Sequence, residues 1–341
     1  MNYFVAGTKH PTIELTKRYL SNSTPLQPFT LDILKEFHHI TSDEEVAELA
    51  ETAQTTVNMK TLFQELDEYA APYFHSQPSL TLDTLENTVT IAQNENTVYL
   101  NSVMPSALFS FIATQLYHAE VLENYEECLF CYRYTLFILN EMCYRDFKQP
   151  VTFPDANGIQ TLMDKLLKRE HLLDLASDLY YATTAFAILH EMVHAYRKHT
   201  SDKIENEYEA DAIAYEIFLN YCYDIQHNII ESKFHDCIQP HTYMAPMCLL
   251  EFYYVIYYTG SFLCLNCEPV SAEQFDFIIA RKEKLMDVFM NWERDCTPKS
   301  AYDLYNFYLN GEENFINIFI SSEKQGLLNG LKEKNLRRAL I

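Results

Sequence analysis

Glycine is scarce in this chain, with six residues in 341. A fold built from many strands joined by tight turns needs more positions free to take unusual backbone angles, so a sheet-dominated architecture is disfavoured. Basic residues are also short. The 25 lysines and arginines face 48 acids, leaving a formal charge of −23. Such a surface repels a phosphate backbone, which argues against nucleic acid as a partner and for neutral or basic polypeptide. The opening segment MNYFVAGTKHPTIELTKRYL lacks the apolar core of a signal peptide, so the chain is expected in the cytoplasm, with its nine cysteines as thiols. Only YMAPMCLLEFYYVIYYTGSFLC, at 243–264, has membrane-like hydropathy. It carries Glu251 and no basic flank, and reads as a buried core helix rather than a span. No internal repeat or low-complexity tract is present.

What the sequence does have is helical periodicity along most of its length and a hydrophobic content of 48%, enough for a substantial core. The expected fold is mostly α. Helices are expected through TSDEEVAELAETAQTTVNMKTLFQELDEYAAPYF, at 105–126, 125–147 and 159–199 with a joint near 170–173, and at 204–221, 242–260, 271–293 and 312–339. Between them NTVTIAQNENTVYLNS, at 87–102, sets two short β-rich runs around a polar NEN and predicts a small β-hairpin. One α-rich unit over 1–341 is the preferred organisation. The break KQPVTFPDANG offers an alternative division into 1–150 and 157–341.

The chemistry concentrates in HEMVH, residues 190–194. Residues four apart on a helix share a face, so His190 and His194 can turn imidazole nitrogens toward one ion. Glu191 lies about 100° round the helix, where its carboxylate reaches a metal's water without being a ligand. A five-residue motif is too short to stand alone against coincidence. The preceding YYATTAFAIL is small and apolar, however, and implies a buried helix on which unpartnered histidines are costly. A third ligand is expected in NEYEADAIAYEIF. If the first helix runs to about His199, it climbs about 7 Å beyond His194. A second helix starting near Lys203 descends a similar distance to Glu207, returning it level with His194 in an antiparallel pair. Glu205 and Glu209 are alternatives if the turn differs.

HEMVH at 190–194 followed by EYEAD at 207–211 resembles the H-E-x-x-H…E-x-x-x-D pattern of gluzincin metallopeptidases. The short spacing is similar to small intracellular peptidases of the phage-exclusion and repressor-cleaving ImmA types. The resemblance implies one zinc per chain held by His190, His194 and Glu207, with Asp211 orienting a ligand histidine. It also implies a protein or peptide substrate, a zinc-polarised scissile carbonyl, and Glu191 as the base that moves water's proton to the leaving amine. The metzincin pattern fails, because it needs glycine at 197 and histidine at 200, where Arg197 and Thr200 stand. An oxyanion donor is also required. His241 and Tyr243, or Tyr196 and His199, are candidates the sequence does not rank. His199 itself is read as no ligand, a histidine on a solvated helix end favoured by the helix dipole.

Other readings of the residues remain. The helical hairpin can belong to a non-catalytic interaction scaffold with a degenerate metal site. Two E-x-x-H pairs, Glu36 with His39 and Glu191 with His194, invite a di-iron bundle, although that leaves His190, Glu207 and Asp211 unexplained. Cys128 with Cys131 and Cys264 with Cys267 have the spacing of half zinc sites, but the first pair lies in a helical run where it suits a core.

Overall fold

A computed structural model describes residues 59–84, 91–94, 96–100, 104–120, 170–199, 203–263 and 272–292. Six α-helices and three short strands appear among them: α1 (Met59–Ala70), β1 (Thr81–Thr84), β2 (Ile91–Asn94), β3 (Thr97–Leu100), α2 (Met104–Glu120), α3 (Glu170–Arg197), α4 (Ile204–Gln226), α5 (Ala245–Leu263) and α6 (Ala272–Asn291). The protein is mostly α, as its glycine-poor sequence predicts. Both cysteine pairs, the Glu36 and His39 motif, the 148–158 break and the expected helices at 125–147 and 312–339 lie outside the described residues.

The predicted hairpin is present, with β2 and β3 antiparallel and Asn94 opposite Thr97. It belongs to a slightly larger sheet. β1 pairs parallel to β3, giving the order β1-β3-β2. TLDT is too short for its alternation to be read, and its partner is set by tertiary placement: Leu80 N–H donates to Asp67 of α1, fixing where the strand begins.

α3 is the axis of the fold, surrounded by α1, α2, α4, α5 and the sheet. Every side chain from Ala176 to Ala195 is buried except Glu191. A helix covered on all sides needs no amphipathic stripe, only residues small enough for neighbours to approach. Its run of alanines and threonines supplies them. The threonine hydroxyls are satisfied internally, Thr184 on the Tyr180 carbonyl and Thr183 on that of Ala245. One apolar cluster runs from Leu62 in α1 to Phe289 in α6.

The segment at 243–264 is a core helix as expected, preceded by a 3-10 turn at Pro240–Met244. Its Glu251 is buried and accepts from Lys282 of α6 at 2.6 Å. Among the described residues no helix is long and apolar enough to cross a membrane. The neighbouring Arg281 points to α4 instead, so two consecutive cations, about 100° apart on α6, tie it to both helices beneath.

Candidate metal centre

α4 runs antiparallel to α3, and Glu207 arrives opposite the histidine pair. His190 Nε2 and His194 Nε2 are 3.1 Å apart. Glu207 places one carboxylate oxygen 3.3 Å from the first and the other 3.4 Å from the second. These three side chains form the one His, Cys, Asp or Glu group among the described residues with metal-ligand spacing. Two imidazole nitrogens and a carboxylate converge as the donors to a bound cation would, and without one His190 meets Glu207 as an ion pair. A tetrahedral zinc with bonds of about 2.0–2.1 Å separates its donors by about 3.3 Å, so the residues fit that ion.

Behind this triad sits a carboxylate cage. Asp211, one turn after Glu207 on α4, brings Oδ1 3.0 Å from His190 Nδ1, an ion-pair contact rather than an aligned hydrogen bond. Asp211 is 1% exposed and is held by both arms of Arg281, at 2.6 Å from Nε and 2.8 Å from a terminal nitrogen. The other terminal nitrogen of Arg281 lies 3.5 Å from Glu207. The guanidinium carbon of Arg281 also lies 5.5 Å from the centre of the Phe277 ring, within cation–π range. Sequence reasoning missed this residue. It is 70 positions from Asp211, and a lone arginine beside a lysine in RKEK looks like a solvated helix face.

The remaining sequence-derived candidates fall in different places. Glu205 is exposed, and Glu209 faces His199 and Arg197, so neither joins the triad. His241 Nε2 lies 3.6 Å from Asp178, which is about 18 Å along α3 from His190. Tyr243 is buried with its hydroxyl on Gln226, at the far end of α4. The proposal of His241 or Tyr243 as oxyanion donor is therefore corrected: the 3-10 turn that carries them packs at the opposite end of the helix pair. Tyr196 donates its hydroxyl to Asp67 of α1 and stacks on Phe74, on another side of α3. The picture of His199 as a solvated helix end is also corrected, since its side chain is 10% exposed and lies against His194.

Charge is distributed unevenly. Burial opposes a charge on His190, but Asp211 and Glu207 outweigh it and lift it to about 9. Burial and the neighbouring His190 together depress His194 to about 4. Burial would raise Asp211 and Glu207, yet Arg281 and His190 draw both down to about 2. Glu207 also stands in the first turn of α4, where the helix dipole favours an anion. Burial is the largest influence on Glu191, and with Glu207 nearby it raises that carboxyl to about 7.

These charges set a pH window for the metal-free protein. Asp211 titrates near 3.8 unfolded and about 2 folded. It stabilises the fold fully above the first value and loses that contribution, about 2 kcal/mol, as pH falls toward the second. His190 has the opposite sign, contributing fully below 6.5 and losing its contribution as pH rises through about 9. His194 adds stability as pH rises to 6.5 and Glu191 removes it from 4.5 to about 7, so the two oppose one another in between, and stability in urea without metal should peak between about pH 4.5 and 6.5. A metal must displace the proton on His190, so zinc binding at pH 7 should release about one proton from this site. Calorimetry in buffers of different ionisation enthalpy measures it; no proton release would contradict the charge assignment.

Residues 113–252 are similar to the family Peptidase U49. No curated protein and no solved structure matches the chain. The matched stretch runs from Ala113 in α2 to Phe252 in α5, less than half of the chain. It contains the triad, Glu191, Asp211 and His199, and ends before Arg281. The part of the chain that carries the candidate metal centre is thus similar to a peptidase family, whose members act on protein or peptide substrates.

Proposed function

We propose that the protein is a zinc-dependent peptidase of gluzincin type acting in the cytoplasm, with His190, His194 and Glu207 as the ligands of one zinc per chain. The observation that carries this reading is the convergence of three donor side chains, with the two imidazole Nε2 atoms 3.1 Å apart and the two Glu207 oxygens 3.3 and 3.4 Å from one each, within a segment similar to a peptidase family. When bound there, zinc supplies a Lewis acid for a peptide carbonyl and acidifies water. Glu191 is the one side chain between Ala176 and Ala195 that is only partly buried, as a base that must reach substrate and water requires. It accepts the proton of the attacking water and returns it to the leaving amine. Asp211 keeps the His190 ring turned and its Nδ1 protonated, leaving Nε2 as the donor. Arg281 holds Asp211 ionised. The sheet adds support, because among the described residues β2 is an edge strand packed on α3 and extended peptides add to sheet edges.

A second reading has one observation in its favour. None of His241, Tyr243 and Tyr196 is at the triad, and His199 is engaged with His194, so a non-catalytic scaffold stiffened by a metal hairpin needs no oxyanion donor. The test is metal content together with cleavage. Purified protein should hold zinc near one per chain by elemental analysis, and His194→Ala should lose it. Wild type should also cleave members of a peptide library. Absence of bound metal in wild type would end the first reading, and metal without cleavage of any peptide would establish the second.

A further inference from the structure

Each ligand histidine has a second ring nitrogen that must be held if the first is to stay on the metal. For His190 that nitrogen faces Asp211. For His194 it faces another histidine: His194 Nδ1 and His199 Nδ1 are 2.9 Å apart, and His199 Nε2 lies 3.5 Å from Glu209. The backbone brings this about. Lys198 has a φ of 56°, the left-handed conformation that glycine usually supplies at a helix end. The chain folds back on α3, so that His199 N–H donates to the His194 carbonyl at 3.0 Å and Lys198 N–H to that of Ala195 at 3.2 Å. In this helix-ending motif the second residue past the helix lies against the one five before it, ordinarily as an apolar pair. Here the pair is two imidazoles, bonded through backbone and side chain alike.

We propose that His199, backed by Glu209, is a positioning residue that holds His194 in its Nδ1–H tautomer and presents the Nε2 lone pair to the metal. The proposal rests on the triad being a metal centre. Proton bookkeeping allows one direction only. With Nε2 of His194 free of hydrogen, Nδ1–H donates to Nδ1 of His199. His199 then keeps its own hydrogen on Nε2, pointed at Glu209. Arg197, 3.4 Å from the other oxygen of Glu209, steadies that carboxylate at the surface. Both ligand histidines are thereby oriented by residues from the α3–α4 hairpin itself, one through an acid and the other through an imidazole. His199 does not touch substrate. It touches a ligand.

The test uses the full chain and zinc itself, with affinity measured by competition against a chromogenic chelator and geometry read from the visible spectrum of the cobalt-substituted protein. His199→Phe keeps a ring of similar shape and removes the acceptor, while His199→Asn restores an acceptor oxygen near the position of Nδ1. The phenylalanine variant should bind zinc about 10- to 100-fold more weakly and shift the cobalt bands. The asparagine variant should recover most of the affinity, and Glu209→Gln should lose only a few-fold. Metal-free melting temperatures of the Phe and Asn variants control for packing. If the phenylalanine variant does not fold, His199→Ala against His199→Asn makes the same comparison. Unchanged affinity and spectrum in the variant lacking an acceptor would overturn the proposal, as would an equal loss in both variants. Wild type that binds no zinc would instead show that the metal reading had failed, before any variant is compared.

Discussion

Glu191→Gln is expected to keep its zinc and lose peptide cleavage by between about a hundredfold and ten-thousandfold, with the loss in kcat rather than KM. Glutamine preserves the shape and much of the polarity of the side chain but has no basic oxygen for the proton. Metal retention follows because Glu191 is not part of the His190, His194 and Glu207 group that has metal-ligand spacing. The environment of Glu191 is suited to the role. Burial lifts its carboxyl to about 7, where a base is strong enough to take a proton and still ionised at neutral pH. A cation in the triad lowers that value, so the acid limb of kcat/KM should fall at or below pH 7, activity rising as the carboxyl deprotonates, and it should vanish with the substitution. Cleavage at wild-type rate by the zinc-loaded variant would remove Glu191 from the mechanism.

Arg281→Met is expected to destabilise the metal-free protein by about 3–5 kcal/mol, measured by urea unfolding, because it takes the bidentate counter-charge from the buried, ionised Asp211 and leaves it only the less well aligned His190. The bidentate pair is 6% and 1% exposed, so water cannot take over from the guanidinium. Part of the loss should return on adding Asp211→Asn, which removes the stranded charge. Saturating zinc should also return part of it, since a cation at the triad supplies positive charge to Glu207 and acts only on the folded state. The same substitution should leave Glu251 and Lys282 paired, and α6 therefore attached to α5. A loss below about 1 kcal/mol would mean that Asp211 becomes neutral at no cost, and that Arg281 is not what keeps it ionised.

How the site divides between readable and unreadable residues follows from the distance between partners. His190, Glu191 and His194 lie within two turns of one helix, and periodicity alone sets them on adjoining faces. Glu207 and Asp211 were within reach because a helix rises by a constant amount, so two helices joined by a short turn can be laid side by side from residue counts. The hairpin of β2 and β3 was legible for the same reason. Its partner β1 was not, since a parallel neighbour can come from anywhere along the chain and four residues carry no periodic signal. The oxyanion candidates His241 and Tyr243 failed on this point: QPHTYM has suitable chemistry, but no local rule says which end of α3 it will meet.

His199 shows the limit most sharply. Its place five residues after His194 was visible, and so was its chemistry; what could not be seen was that Lys198 would adopt a left-handed conformation despite its side chain. That one backbone angle turns a helix-end histidine inward onto His194. Arg281 lies beyond any such local argument, because only the packing of α6 across α4 and α5 delivers it to Asp211. By itself, then, the sequence determined the mostly helical class and the placing of His190, Glu191, His194 and Glu207 as candidates for one site, which depend on spacing along helices of constant rise. The tertiary structure decided which groups surround that set and how they charge it, because burial and long-range pairing depend on neighbours that no spacing rule specifies.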